Sequence, residues 1–328
     1  MRAIVITKPG GPEVLELKEV ATPEPARGEV RVRVHATAVN RADLLQRMGA
    51  YPAPPDAPAD IPGMEFAGEI DAVGEAAGEW KLGDRVFGLA GGGTYAEQLV
   101  VHARAIARLP ERVSFHEGAA VPEAFITAYD AMVTQAGLAA GETVLIHAAG
   151  SGVGTAAIQI ARAIGARSVG TARTQAKLER ARPLGLDAGV VPEAGRFAQQ
   201  VIAANGGRGV DVVLELVGGA YVPEDFLCMQ TGARLMLVGL LAGARADVDL
   251  AMLLRKRLVV RGTTLRARPL EEKILATQVF ARSIVPLFAS GALAPIVDRA
   301  FPLAEAAAAH AYVASNEGFG KVILTVGA

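Results

Sequence analysis

The sequence predicts a two-domain α/β protein in which a β-rich part is interrupted by a doubly wound parallel sheet. Three observations predict it. The chain has 328 residues, and at roughly 100–200 residues per domain that is about two domains. Residues 1–120 are dominated by β-branched or alternating segments bounded by glycine and proline. From 121 to 264, strand-length apolar runs alternate with helical stretches, the pattern of βαβ units whose parallel sheet is covered on both faces. Residues 265–328 then return to the first part, so the expected domains are 1–120 with 265–328, and 121–264.

In chain order, strands are expected at residues 3–7, 29–39, 65–73, 85–89 and 95–101. Residues 51–58 read Tyr-Pro-Ala-Pro-Pro-Asp-Ala-Pro. Prolines lack the backbone donors of a helix or central strand, so this is a surface loop, and loops on a rigid scaffold are where ligands are often met. Gly91-Gly-Gly93 is a second loop. A strand at 143–147 leads through a glycine turn into a helix at 153–164. A strand at 168–171, a helix at 177–184 and strands at 210–216, 234–238 and 258–261 follow. A long helical segment at 270–290, an alanine-rich helix at 304–309 and a strand at 321–325 complete the chain.

Composition narrows the function. Lys and Arg total 33 against 34 Asp and Glu, so no basic field draws the chain to nucleic acid or to an anionic membrane. Hydrophobic residues make up 51%, which excludes intrinsic disorder at near-zero net charge. The one cysteine, Cys228, excludes an internal disulfide and any thiolate-clustered zinc or iron–sulfur site. No apolar run approaches the roughly 18–20 residues that span a bilayer, and the first apolar stretch is too short for a signal peptide. The cytoplasm is the expected location. His35, His102, His116, His147 and His310 show no metal-ligand spacing, and no Ser-His-Asp or Cys-His arrangement stands out; no metal site is expected.

The strongest local signal is Val144-Leu-Ile-His-Ala-Ala-Gly-Ser-Gly-Val-Gly154. A strand runs into a turn of small residues and then a helix, which aims backbone N–H groups and the positive helix end at a pyrophosphate. Aligned on its last glycine, the fingerprint is Ala149-Gly-Ser-Gly-Val-Gly154 and departs from G-x-G-x-x-G; Gly154 remains for helix–strand packing. With strand before and βα units behind, dinucleotide binding is favoured over a plain turn. An NAD site places an acid about 20 residues beyond the fingerprint to hold the ribose 2′-hydroxyl. Here Gly170-Thr-Ala-Arg-Thr-Gln-Ala-Lys177 contains no acid. Arg173 and Lys177 stand there instead, which favours a 2′-phosphate and so NADPH over the alternative of two solvated helix-start cations. Val217-Gly-Gly219 and Gly239-Leu-Leu241 follow two further strands; Val217, Gly239 and Leu240 either admit the nicotinamide half or cap turns.

Several motifs, in order, carry a resemblance over essentially the whole chain: Gly10-Gly-Pro-Glu-Val-Leu15, Asn40-Arg-Ala-Asp43, Gly63-Met-Glu-Phe-Ala-Gly68, Gly83-Asp-Arg-Val86, Val121-Pro-Glu-Ala-Phe-Ile-Thr-Ala128, the turn at 148–154 and Gly320-Lys-Val-Ile323. The chain resembles the zinc-independent quinone oxidoreductase (zeta-crystallin-like) branch of the medium-chain dehydrogenase/reductase superfamily, and is most similar to its tumour-suppressor-induced subgroup. The resemblance implies a GroES-like β-rich catalytic domain plus a doubly wound Rossmann cofactor domain, NADPH and a homodimer. The superfamily's alcohol dehydrogenases bind a catalytic zinc; the matching positions here are Asn40 and Met64, with no cysteine at 91–94, and neither side chain replaces a thiolate or imidazole on zinc. Without a Lewis acid to lower an alcohol's pKa, reduction of a conjugated acceptor fits better than alcohol oxidation.

The resemblance further implies that Asn40 and Tyr51 stand beside nicotinamide and acceptor, as catalytic residues. Asn40 would bond the cofactor amide or a quinone oxygen, or simply end a strand. Tyr51 would position the acceptor or anchor the proline loop. It places Thr127 on the cofactor, Ser151, Gly152, Val153 and Gly154 around the pyrophosphate, Arg173 and Lys177 on the 2′-phosphate, and Thr263, Leu265 and Lys321 along the nicotinamide. Leu45 and Pro192 stand where relatives carry tyrosines, departures that bear on acceptor-site shape and on adenine binding. Glu123 and Asp43 read as capping or salt-bridge residues rather than proton carriers, His147 as a packed core histidine rather than an acid, and Cys228 as a small buried hydrophobe. The last sheet strand, 258–261, is an apolar edge that invites antiparallel pairing with its symmetry mate in a homodimer. The expected activity is NADPH-dependent reduction of a quinone-like acceptor, the alternatives being enone or alkenal reduction in the same pocket and a non-catalytic nucleotide-regulated binding protein.

Overall fold

The computed structural model describes residues 1–327. Its contacts divide the chain into two units, Met1–Ile126 together with the chain from Leu265 onward, and Thr127–Thr264. The first unit opens with β1 (Arg2–Ile6) and β2 (Leu15–Glu19), an antiparallel pair. Next come β3 (Glu29–Val39), α1 (Arg41–Arg47), β4 (Glu65–Val73), β5 (Arg85–Leu89), β6 (Gln98–His102), β7 (Ile106–Arg108), α2 (Phe115–Ala119) and α3 (Pro122–Tyr129). Alternation explains β3: Val30, Val32 and Val34 are buried, while Arg31 and Arg33 face outward and meet Asp71 and Glu69 at 2.8 Å each.

The second unit is built from β8 (Thr143–Ile146), α4 (Gly152–Ala163), β9 (Arg167–Thr171), α5 (Gln175–Ala181), β10 (Ala188–Val190), α6 (Ala198–Ala204), β11 (Val210–Glu215), α7 (Tyr221–Cys228), β12 (Met229–Leu237), α8 (Leu250–Lys256) and β13 (Val259–Gly262). Every pairing is parallel, in the order β10-β9-β8-β11-β12-β13. Counted within the unit this is 3-2-1-4-5-6, and the order reverses between β8 and β11, where doubly wound sheets receive dinucleotides at the carboxyl ends of their strands. The chain then returns to the first unit as α9 (Leu270–Ser283), α10 (Val285–Ser290), β14 (Val297–Pro302), α11 (Ala306–Ser315) and β15 (Lys321–Thr325). β15 pairs antiparallel with β3, so the late segment completes the sheet that the early one began. Among the described residues no helix is long and apolar enough to cross a membrane.

Some expectations are corrected. Residues 121–126 belong to the first unit. The Glu123 N–H donates to Glu65 Oε2 at 2.8 Å and the Phe125 ring packs edge-on to Phe288 at 4.8 Å, which fastens the start of α3 there. The strand expected at 95–101 begins only at Gln98, because Tyr95 donates to the Pro62 carbonyl and Ala96 bridges Ala3. The segment 270–290 is two helices, since Pro286 removes a donor that one continuous helix needs. The helix expected at 177–184 gives way to a 3₁₀ turn at Arg182–Leu184, which contains Pro183.

Candidate active site

In the second unit the expected nucleotide side begins where β8, wholly buried, passes into the turn at 147–151. Ala148 takes a left-handed conformation (φ 47°), and Ser151 caps α4 by accepting the Gly154 N–H on its Oγ at 3.0 Å. Gly154 is required by space. A Cβ there would lie 2.4 Å from the Ala148 carbonyl oxygen and 2.8 Å from the Ala149 Cα, and backbone cannot move aside. The N–H groups of Gly152 and Val153 sit in the first helical turn, whose donors have no intrahelical partner and are the ones an anion takes.

The other residues of this unit expected on the cofactor side lie at strand ends or on the helices beside them. β9 ends at Thr171; Arg173 is exposed, and Lys177 is half-buried on the first turn of α5. Val217 and Gly239 follow β11 and β12, and Leu240 beyond them is 50% exposed. Thr127 is buried on α3. Thr263 is held from two sides: its N–H donates to the Leu237 carbonyl, and its Oγ1 accepts from Gln135 Nε2 at 2.8 Å. Gln135 ends a π-helical turn, Asp130–Gln135, and also bonds Asp130 at 2.6 Å. Such turns recur at functional sites.

The first unit gathers a buried polar cluster around Asn40, which is 6% exposed at the end of β3. Asn40 Nδ2 donates to Glu65 Oε1 at 2.9 Å, and Asn40 Oδ1 accepts from Lys321 Nζ. Lys321 pairs with Glu65 Oε1 at 2.6 Å, both groups being buried. An ammonium accepts nothing and a carboxylate donates nothing, so this pairing fixes which end of the amide is oxygen. Burial pulls the Lys321 pKa down, and the nearby Glu65, Glu123 and Asp43 carboxylates outweigh it, leaving the group above its ordinary value. Lys321, expected along the nicotinamide, is thus bonded to both Asn40 and Glu65. Asp43 is fully buried and accepts the Asn40 N–H at 2.8 Å, the Gly63 N–H and the Tyr95 hydroxyl. Burial raises it to about 6, against the pull of the Asn40 N–H, Arg266 and Lys321.

Tyr51 is half-buried at the start of the proline loop. Arg266, one residue beyond the half-buried Leu265, lies over its ring at 5.4 Å. The same guanidinium donates to the Gly91 carbonyl at 2.7 Å and to Gln46 Oε1 at 2.5 Å. Lys273 on α9 pairs with Asp56 at 2.7 Å. The returning chain therefore clamps both loops that the sequence singled out. Sequence reading passed over Arg266, Glu65, Glu215 and Asp225. The available signal was an acid closing an apolar strand, as in Val210-Asp-Val-Val-Leu-Glu215.

Comparison with known proteins matches both parts of the chain. The family model for an alcohol dehydrogenase GroES-like domain matches residues 26–111, and that for a zinc-binding dehydrogenase matches residues 152–280. Human quinone oxidoreductase is 33% identical over 329 residues, covering 99% of this chain and 97% of that protein. Among solved structures, Escherichia coli quinone oxidoreductase complexed with NADPH superposes with a TM-score of 0.88 at 29% identity, covering 99% of this chain and 100% of that one. An NAD-dependent alcohol dehydrogenase superposes with a TM-score of 0.88 at 33% identity, with 100% of both chains covered. With end-to-end identity at this level and the same two-unit architecture, the chain belongs to the quinone oxidoreductase family of the medium-chain dehydrogenases/reductases.

Proposed function

We propose that this protein is a zinc-independent reductase that binds NADPH in its second unit and delivers hydride to a quinone. The observation that carries the reading is the fixed sense of the Asn40 amide. Lys321 takes its oxygen and Glu65 one of its two amide hydrogens, while the other makes only a long contact, 3.4 Å, with the Ala38 carbonyl, so what Asn40 can turn to an acceptor is a donor. A donor held rigidly in a buried site stabilises an oxygen on which negative charge develops, and a quinone spreads that charge without a Lewis acid. Alcohol oxidation asks for a metal that lowers the alcohol's pKa. The donor set does not fit the zinc in the second family model's name: Asn40 is committed, Met64 offers a buried thioether, and the Cys228 thiol points to the Asp225 carbonyl inside α7.

For the cofactor, the spacing at Gly154, the capped start of α4 and the cations at Arg173 and Lys177 fit a pyrophosphate and a 2′-phosphate. Bound NADPH would supply the hydride. The chain's own part is then to orient: Tyr51, steadied by Arg266, positions the acceptor, Asn40 donates to its oxygen, and the product's proton comes from water. Quinone is the acceptor named for the human and E. coli relatives.

Paired fluorescence titrations with NADPH and NADH test the cofactor half. Wild type is expected to prefer NADPH by about tenfold or more, roughly 1.4 kcal/mol, and the double variant Arg173→Ala, Lys177→Ala to lose that preference. Equal binding of the two cofactors by wild type overturns the 2′-phosphate assignment. Steady-state rates with naphthoquinone-like and alkenal-like acceptors test the acceptor half, and faster alkenal turnover would move the reading to an alkenal reductase.

The same reading includes a homodimer. β13 is the last strand of its sheet, and Val259 and Val260 are 47% and 43% exposed on it. An unprotected apolar edge of this kind is a template for antiparallel pairing. Sedimentation equilibrium at micromolar concentration is expected to return twice the chain mass of 33.9 kDa; a single-chain mass would remove the dimer.

A further inference from the structure

Where the strand order of the second unit reverses, three fully buried titratable side chains meet: His147 after β8, Glu215 at the end of β11 and Asp225 on α7. His147 Nδ1 is 2.8 Å from Thr171 Oγ1 at the end of β9, and its Nε2 is 2.8 Å from Asp225 Oδ1 and 3.7 Å from Glu215 Oε2. Glu215 Oε2 and Asp225 Oδ2 are buried with no hydrogen-bond partner, and the His147, Glu215 and Asp225 groups offer polar atoms that all lie within 4.8 Å of one another. Two ionised carboxylates facing each other out of water repel, and a single proton between them removes the conflict. A metal does not fit the spacing. Tetrahedral bonds of about 2.0 Å hold ligands about 3.3 Å apart, whereas the imidazole and Asp225 are at hydrogen-bond distance, 2.8 Å.

The surroundings decide which acid keeps the proton. Glu215 Oε1 accepts the N–H groups of Val217 at 2.5 Å and Gly218 at 2.9 Å. Two backbone donors favour the charge on Glu215, so the proton belongs to Asp225. The Thr171 hydroxyl then donates to Nδ1 and the Nε2–H of His147 to Asp225. Glu215 also holds the neighbouring strand end, its main-chain carbonyl accepting from Val238 at 2.9 Å and Gly239 at 3.2 Å. Gly218 and Gly219 both have left-handed φ, 70° and 56°, and carry no side chain that could pack the segment down. The carboxylate anchors its N–H groups, beside the Val217 carbonyl that accepts the Ala242 N–H at 2.7 Å.

We propose that Glu215 and Asp225 share one proton, and that this shared proton holds residues 217–219 in the form that receives the nicotinamide half, which makes Glu215 a positioning residue for the cofactor. The cofactor clause rests on the reading that this unit takes NADPH; the shared proton does not.

Burial raises both acids, Asp225 the further, to about 8, and lowers His147. Glu224, whose carboxylate accepts the Phe197 and Ala198 N–H groups, pushes Asp225 further up. The Tyr221 ring stands edge-on to His147 at 5.0 Å, its phenol raised by burial and by both acids and lowered by Arg173. The Cys228 thiol, raised mainly by burial, donates to the Asp225 carbonyl; Lys256 lies on the carbonyls of Phe226, Leu227 and Met229. The native pair therefore keeps a proton that the unfolded chain releases near pH 4. Its contribution to stability is complete below that pH and is lost as pH rises through about 8.

The test uses the full-length protein with Glu215→Gln and Glu215→Ala, NADPH titration by cofactor fluorescence, and thermal melting without cofactor, each from pH 6.5 to 9. Glutamine keeps an oxygen for the two N–H groups and supplies a donor to Asp225 that does not titrate. Wild-type affinity for NADPH is expected to fall about tenfold across this range, the effect of about one unit of pKa difference between bound and free protein. Glu215→Gln is expected to change less than about threefold, and its melting temperature to lose the decline that wild type shows. Glu215→Ala is expected to bind NADPH about tenfold more weakly at pH 6.5. Parallel pH profiles of wild type and Glu215→Gln overturn the shared proton; wild-type affinity in Glu215→Ala overturns the positioning role. Wild type that binds no NADPH removes the positioning role along with the nucleotide reading, while diverging melting profiles would keep the shared proton.

Discussion

Replacing Glu65 by alanine is expected to lower the melting temperature by on the order of 6–20 °C, the counterpart of about 3–5 kcal/mol for a buried pair that loses one partner. The size follows from what the carboxylate holds. Glu65 is 0% exposed and serves the Lys321 ammonium at 2.6 Å, Asn40 Nδ2 at 2.9 Å and the Glu123 N–H at 2.8 Å. Alanine leaves a 5% exposed ammonium with no anion bonded to it and an N–H at the start of α3 with no acceptor. The double variant Glu65→Gln, Lys321→Met removes both charges together and is expected to recover most of the loss, because a buried pair contributes little net stability over a well-packed neutral replacement. Differential scanning calorimetry on the single and double variants reads the difference. A single variant that melts within about 2 °C of wild type, less than 1 kcal/mol, would mean that water reaches the ammonium.

The double variant also separates stability from catalysis. It keeps a folded chain but releases the Asn40 oxygen, so the amide is no longer forced to present its donor. If the donor serves the acceptor oxygen, quinone reduction falls at least about tenfold in a protein that melts near wild type, since small losses of orientation cost large factors in rate. Unchanged turnover would return Asn40 to a purely structural place at the strand end.

Local pattern explains which parts of this molecule could be read in advance. Residues 29–39, 65–73, 85–89 and 321–325 are strands with the expected bounds, because alternation and flanking glycine or proline define them without help from distant contacts. β10 is Ala-Gly-Val, too short and too small to carry a pattern, and β14 is an edge strand, mostly exposed, interrupted by Asp298 and Arg299 and closed by a proline; neither was foreseen. The site divides the same way. The turn around Gly154 is legible because its chemistry is local. The sense of the Asn40 amide depends on Lys321, 281 positions away. Arg266 acts on Gln46 from 220 positions away, and Glu215 reads as an ordinary strand end until Asp225 is folded against it. Buried polar partnerships are set by topology, and composition carries no trace of them.

Gly154→Ala sets helix propensity against packing and is expected to go the way of packing. Propensity alone favours alanine within a helix by about 0.8–1.0 kcal/mol. The added Cβ, however, would lie 2.4 Å from the Ala148 oxygen, 2.8 Å from the Ala149 Cα and 2.9 Å from the Ala149 carbonyl carbon. All three are backbone atoms of the turn that leaves β8, so no side chain can rotate out of the way, and α4 must lift from the turn. Overpacking costs about 1–3 kcal/mol where side chains can adjust; with rigid backbone on the other side we expect about 3 kcal/mol net destabilisation or more. The same displacement carries the N–H groups of Gly152 and Val153 away from a bound pyrophosphate, and NADPH affinity should drop by about 30-fold or more, roughly 2 kcal/mol. Melting and NADPH titration on the one variant measure both. An alanine variant that melts above wild type would show the turn yielding to the helix, and the close approach of backbone to phosphate would then have to be credited to the small residues at 148–152 rather than to Gly154.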